Sequence, residues 1–182
     1  MLHIIKLLLI FSILACAGCT AICRIDGPYE GKVVDAETKQ PLEGVVVLGV
    51  WHKTQPNFAG STFKIYDSIE MLTGKNGEFK IPGKGLMLLS NIDEIDLVIF
   101  KAQYNKIEGR WSDFKTNIGS KNIHWDGDKA IFYLSKLNYN DRKKRSLGLP
   151  LFLDTKKMRN LIFEINKDLK ELGYDLYIED LN

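Results

Sequence analysis

The feature that most constrains this chain is "EGVVVLGVWHK", residues 43–53, where Val45, Val46, Val47, Leu48 and Val50 follow one another with almost no polar break. β-Branched residues in such a run favour an extended strand. Successive side chains of a strand point to opposite faces. A strand with one wet face alternates polar and apolar residues, so this one calls for burial on both sides. The fold must therefore supply one layer beneath it and another above it. Trp51, at the end of the run, is a candidate for part of the outer cover.

Six other segments between Tyr29 and Ser135 carry strand signals: "YEGKVVD", "FKIYDSIEML", "EFKIPG", "EIDLVIFKAQY", "KIEGRW" and "KAIFYLSK". Asn76-Gly77 suits the positive φ angles of a tight turn, which predicts a hairpin joining Met71 and Leu72 to Phe79 and Ile81. Seven strands in about a hundred residues predict a mainly β fold, a two-sheet antiparallel sandwich. The polar bend between the first two strands holds Asp35, Glu37, Thr38 and Pro41. Asp and Thr side chains bond nearby backbone in such bends, so it reads as a turn and not a reactive site.

Downstream, "DTKKMRNLIFEINKDLKELG" predicts a helix capped by Asp154 or Thr155 and ended by Gly173. Met158, Leu161, Ile162, Ile165, Leu169 and Leu172 form one apolar stripe at helical spacing. Its expected place is the exposed face of the Val45–Val50 strand. The run "DRKKR", Asp141–Arg145, falls in the connection at 138–153 and reads as a solvated basic linker. Contact with anionic phospholipid is the alternative.

The first segment, "MLHIIKLLLIFSILACAGCTAIC", has Lys6 as a positive n-region, an apolar stretch Leu7–Leu14, and small residues Ala15, Ala17 and Gly18. That is the pattern of a secretory signal, and the run is shorter than the roughly 20 residues a membrane span needs. The junction resembles a bacterial lipobox. Cys19, preceded by Ala17-Gly18, is favoured as the lipidated residue, with Cys16 after Ile13-Leu14-Ala15 as the alternative. Lipidation turns the thiol into a thioether to diacylglycerol, and each buried methylene adds about 0.8 kcal/mol of membrane affinity. A plain secreted protein cut after Ala17 is the other reading, in which Cys19 and Cys23 are free to pair. Removal of Lys6 takes the formal charge from +2 to +1. That leaves no basic excess for nucleic-acid binding. Cys23 is then the only thiol besides the lipidated one, so the core must hold the fold. The organisation expected is a signal peptide at 1–18, a tether at 19–26, a sandwich at 27–137, the linker at 138–153, and the helix with its tail at 154–182.

"GKVVDAETKQPLEGVVV", "TGKNGEFKIPG" and "LVIFKAQY" together resemble the carboxypeptidase regulatory-like domain, a transthyretin-like sandwich of bacterial envelope proteins. The likeness spans residues 27–135 and leaves out the C-terminal helix. It implies that the Asp35–Pro41 segment is an inter-strand link. Gln103 departs from the pattern, standing where the family usually has Gly before Tyr104. The peptidase of that name keeps its zinc in another domain, on a His-x-x-Glu pair and a distant His. Here none of His3, His52 and His124 has Glu three positions on. The resemblance is to the accessory domain alone, with no catalytic residue and no cofactor.

His52, His124, Asp126 and Asp128 are the only conceivable metal set, and "HWDGD" is also an ordinary loop sequence. No Gly-x-Ser-x-Gly elbow or phosphate-binding glycine loop is present. Trp111 and Trp125 are candidate ligand contacts for a sugar, against the commoner fate of Trp in a core. The expectation is a non-catalytic, lipid-anchored envelope module, periplasmic or on the outer surface, partnered by the membrane and by an envelope protein or glycan. A carbohydrate-binding module and a small metal-dependent hydrolase are the alternatives.

Overall fold

The structure, a computed structural model, describes residues 23–58, 60–116, 121–145, 155–175 and 178. The segment expected to be a signal peptide and both candidate lipidation sites, Cys16 and Cys19, lie outside the described residues. Those described form a mainly β fold. In chain order come β1 (Cys23–Asp26), β2 (Tyr29–Asp35), β3 (Val46–Asn57), β4 (Gly60–Leu72), β5 (Glu78–Ile81), β6 (Gly85–Leu88), β7 (Asp96–Phe100) and β8 (Ile107–Arg110). After these follow α1 (Trp111–Thr116), β9 (Ile123–Asp126), β10 (Lys129–Leu134), α2 (Tyr139–Lys144), a 3₁₀ turn (Thr155–Lys157) and α3 (Arg159–Glu171).

Two four-stranded sheets, ordered β5-β2-β10-β9 and β4-β3-β7-β8, face each other, and β1 pairs with β6 in a separate ribbon. The seven expected strands are all present, but the described residues hold ten. The additional ones, β1, β6 and β9, have four residues each. Such short pieces do not display a period. β1 also falls in the segment expected to be only a tether. Nor is the sandwich wholly antiparallel. β2 and β10 run parallel, from Gly31 beside Ala130 to Asp35 beside Leu134. Parallel neighbours need a long crossover, and here the second sheet is wound between them.

The inner core is built by alternate residues of both sheets, including Val33, Val47, Trp51, Ile81, Leu97, Ile99, Phe132 and Leu134. Helix α1 adds Trp111 and Phe114 to it. Trp51 belongs to this interior, 1% exposed, and is not part of the outer cover. Most outward residues of the β2 sheet are polar, among them Glu30, Lys32, Glu78, Lys80, His124 and Asp126, with Lys80 2.7 Å from Glu30. That face is wet.

The opposite sheet is covered as the Val45–Val50 run required. Val46, Leu48 and Val50 of β3, with Val98 and Phe100 of β7, pack against Met158, Leu161, Ile162 and Ile165. Each buried Leu or Ile there contributes about 1.5–3 kcal/mol relative to exposure. Helix α3 begins later than expected. Met158 is its N-cap and makes no side-chain cap. A strand supplies the cap instead. The Glu70 carboxylate accepts the backbone N–H of Asn160 (2.9 Å) and of Leu161 (2.7 Å), which satisfies orphan donors and sets a negative charge at the positive helix end. Gly173, at φ +79°, follows the C-cap.

Asn76-Gly77 does not make a hairpin, because β4 and β5 belong to opposite sheets. The segment is an arch between layers. Gly77 N–H closes a turn onto Gly74 C=O at 2.8 Å, and Val33 N–H bonds Gly77 C=O at 2.8 Å. Gly77 has φ +72°, and a Cβ there would stand 2.3 Å from the Val33 carbonyl oxygen. Glycine is needed for this close approach between layers, not for a two-residue hairpin.

The basic run is not a solvated linker. It forms most of α2, capped by Asn138, whose side chain accepts Asp141 N–H at 3.0 Å. Arg142 and Arg145 turn inward against α3 because Asp168, buried in the stripe, waits for them. Lys143 and Lys144 stay exposed.

Candidate functional site

The bend at Asp35 is a turn in the structure. Its Oδ1 accepts the N–H of Glu37 (2.9 Å) and of Thr38 (2.8 Å), and its Oδ2 accepts the Tyr104 hydroxyl at 3.1 Å. These donors, with Thr38 N–H foremost, hold its carboxyl below the usual range.

Two buried acids act as hubs. Asp26 accepts the Tyr29 hydroxyl (2.6 Å), the Trp51 indole N–H (2.9 Å) and the Lys84 N–H (2.9 Å). Burial first, and Asp26 second, push the Tyr29 hydroxyl far above its ordinary value. Arg24 donates to Ile92 C=O (2.7 Å) and Asp93 C=O (2.9 Å). One strand, β1, thus pins the β1–β6 ribbon to the sandwich from the ribbon's inner face.

Asp168, 0% exposed, accepts the Gln103 N–H (2.7 Å) and Arg142 Nη2 (2.8 Å), and pairs with Arg145. Glu164 accepts the Ala102 N–H at 2.8 Å. The turn holding Gln103 therefore survives without glycine. Gln103 sits at φ +70°, a conformation costly for a side-chain-bearing residue. Its N–H is held by Asp168 and its amide donates to Glu171 at 2.9 Å.

Of the conceivable metal set, His52 lies in the β4-β3-β7-β8 sheet with Nδ1 3.0 Å from Asp96, whose carboxyl is raised by burial. His124 and Asp126 lie on β9, an edge of the other sheet. Among the described residues no three His, Cys, Asp or Glu side chains are placed to hold a metal ion.

The two tryptophans meet, but not as a platform. Trp111 is 5% exposed. Trp125 stands edge-on to it, centroids 5.2 Å apart at 82°, and donates its N–H to Phe114 C=O at 3.0 Å. Lys115 lies 5.2 Å over the Trp125 ring. A groove of about 550 Å³ does open nearby, lined by Pro28, Glu30, Trp111, Lys115, Asp126, Asp128 and Lys129. Trp111, and not Trp125, forms part of its wall.

Two apolar surfaces went unread in the sequence. Cys23, Ile25, Leu86 and Leu88 share one face of the β1–β6 ribbon, since Cys23 is opposite Leu88 and Ile25 opposite Leu86. That face is exposed: Ile25 77%, Leu86 64% and Leu88 62%, with the adjoining Leu89 at 81%. The unbroken apolar run Leu86–Leu89 just after Gly85 is the available signal. The second surface is β4, the edge strand of its sheet, where residues 60–64 are exposed and Phe63 and Tyr66 face solvent. Among the described residues no helix is long and apolar enough to cross a membrane. In comparison with known proteins, no family model, curated protein or solved structure matches this chain.

Proposed function

We propose that this chain is a non-catalytic, transthyretin-like module of the bacterial cell envelope, tethered by fatty acyl chains on Cys19 and recruiting an envelope partner through β4. The observation that carries the reading is the exposed first part of the β4 edge, residues 60–64, with Phe63 and the nearby Tyr66 facing solvent. An edge strand offers unpaired backbone groups to an extended partner, while flanking side chains give selectivity. The buried acids support a structural role, since Asp26, Glu164 and Asp168 are each engaged by donors that hold one element to another. A photo-crosslinking residue in place of Thr62 tests this in living cells. One discrete adduct, absent when the same group replaces Lys32 on the wet sheet, is the expected result. Equal labelling at the two sites, or none at Thr62, contradicts it.

A second reading rests on the groove beside Trp111. The groove brings Asp126 and Asp128 together with Trp111 in one lining, a mix of polar and aromatic groups that suits a sugar ring. Glycan-dependent change in Trp fluorescence, lost in Asp126→Ala with Asp128→Ala, would favour it.

A further inference from the structure

We infer that the exposed face of the β1–β6 ribbon, Ile25, Leu86 and Leu88, with the adjoining Leu89, seats on the surface of a lipid bilayer. This rests on the reading of Cys19 as the acylated residue. Four large aliphatic side chains rarely stand together on a free surface without a partner. What covers them is indicated by chain length. Cys23, in the same face, follows Cys19 by four residues, so the ribbon begins no more than about 14 Å from the acyl chains whatever path the chain takes. The ribbon is also held rigidly, by Arg24 and Asp26 on its inner side. Its apolar face therefore cannot turn inward to find cover.

An acylated end and an apolar face close beside it together favour the bilayer interface, where one acyl chain alone binds only marginally. Seated so, the ribbon orients the sandwich and directs β4 relative to the membrane, which an acyl anchor alone does not do.

The test uses the full chain, purified as cells produce it and mixed with vesicles of phosphatidylethanolamine and phosphatidylglycerol. A nitroxide-bearing amino acid replaces Leu86, or His124 as the control on the wet sheet. Expected is a Leu86 label accessible to oxygen and protected from a water-soluble nickel chelate, with the reverse at His124. Combining Ile25→Ser with Leu88→Ser should return the Leu86 label to water while the protein still floats with the vesicles. A floating protein whose Leu86 label is as chelate-accessible as that at His124 overturns the proposal. So does protection already present without vesicles, which would mean cover by the chain itself. Dipolar broadening removed by unlabelled protein overturns it too, as it would place a second copy there. Intact mass reports acylation separately. A chain without acyl mass that still floats with Leu86 immersed leaves the ribbon reading standing and removes the tether. A chain that neither carries acyl groups nor floats removes both.

Discussion

Asp168→Ala is expected to cost about 3–5 kcal/mol, the range for removing one partner of a buried ion pair. The size follows from what the carboxylate holds. Its side chain is fully buried, and those of Arg142 and Arg145 are 11% and 8% exposed. Without it Arg142 keeps Glu171, 2.8 Å away. Arg145 keeps its bond to the Tyr104 carbonyl and its position 4.9 Å over the Phe100 ring, but not its counter-charge. The Gln103 N–H also loses its acceptor, which alone is worth about 1–3 kcal/mol in a buried site. Against a typical total of about 5–15 kcal/mol, that is a large fraction. The melting temperature should fall on the order of 10 °C for a chain of this size. Urea unfolding followed by circular dichroism measures it. Replacing all three partners, Arg142→Met, Arg145→Met and Asp168→Leu, should recover most of the loss, because no unpaired charge then stays buried. The unsatisfied Gln103 N–H prevents full recovery. A loss under about 1 kcal/mol in Asp168→Ala would match a solvated surface pair and refute the docking of α2 on α3.

Other perturbations follow from the same contacts. Glu70→Ala removes the cap of α3 and should cost about 1 kcal/mol, read by chemical denaturation, whereas Glu78→Ala on the wet sheet should change little. Gly77→Ala meets both a positive φ and the Val33 carbonyl, so it should destabilise by more than about 1 kcal/mol, with a matching fall in melting temperature. The Asp67 carboxyl is held far below its ordinary value of about 3.8, first by the Lys157 hydrogen bond and then by Lys84. A lowered folded-state value gives stability that is complete above the ordinary value and is lost as pH falls through the folded one. Asp67→Asn should therefore melt below wild type at neutral pH, and the two should converge in strong acid.

The strands were legible because burial writes itself into period and composition. The doubly apolar Val45–Val50 run announced a covering layer, and the Met158–Leu172 stripe announced the cover. Pairing partners were not legible. Asn-Gly signals positive φ, and an arch between sheets uses that as readily as a hairpin does. Inward arginines in "DRKKR" could not be seen locally, since Asp168 lies 26 residues from Arg142. A signal did exist, because Glu164 and Asp168 fall within the apolar stripe of α3, three and seven positions after Leu161. Charged groups at such positions ask for buried partners. Nothing local marks Trp51 as inward, because a run that is apolar on both sides carries no sign of which side is in. The edge-on packing of Trp111 and Trp125 depends on α1, a six-residue helix without a readable period.

Metabolic labelling with an alkynyl fatty acid, read after attachment of a fluorophore to the purified protein, bears most directly on the proposed tether. Wild type and Cys16→Ser should both carry the label, and Cys19→Ser should carry none. An unlabelled wild type, or label that persists in Cys19→Ser, would contradict a protein held to its membrane through that thiol.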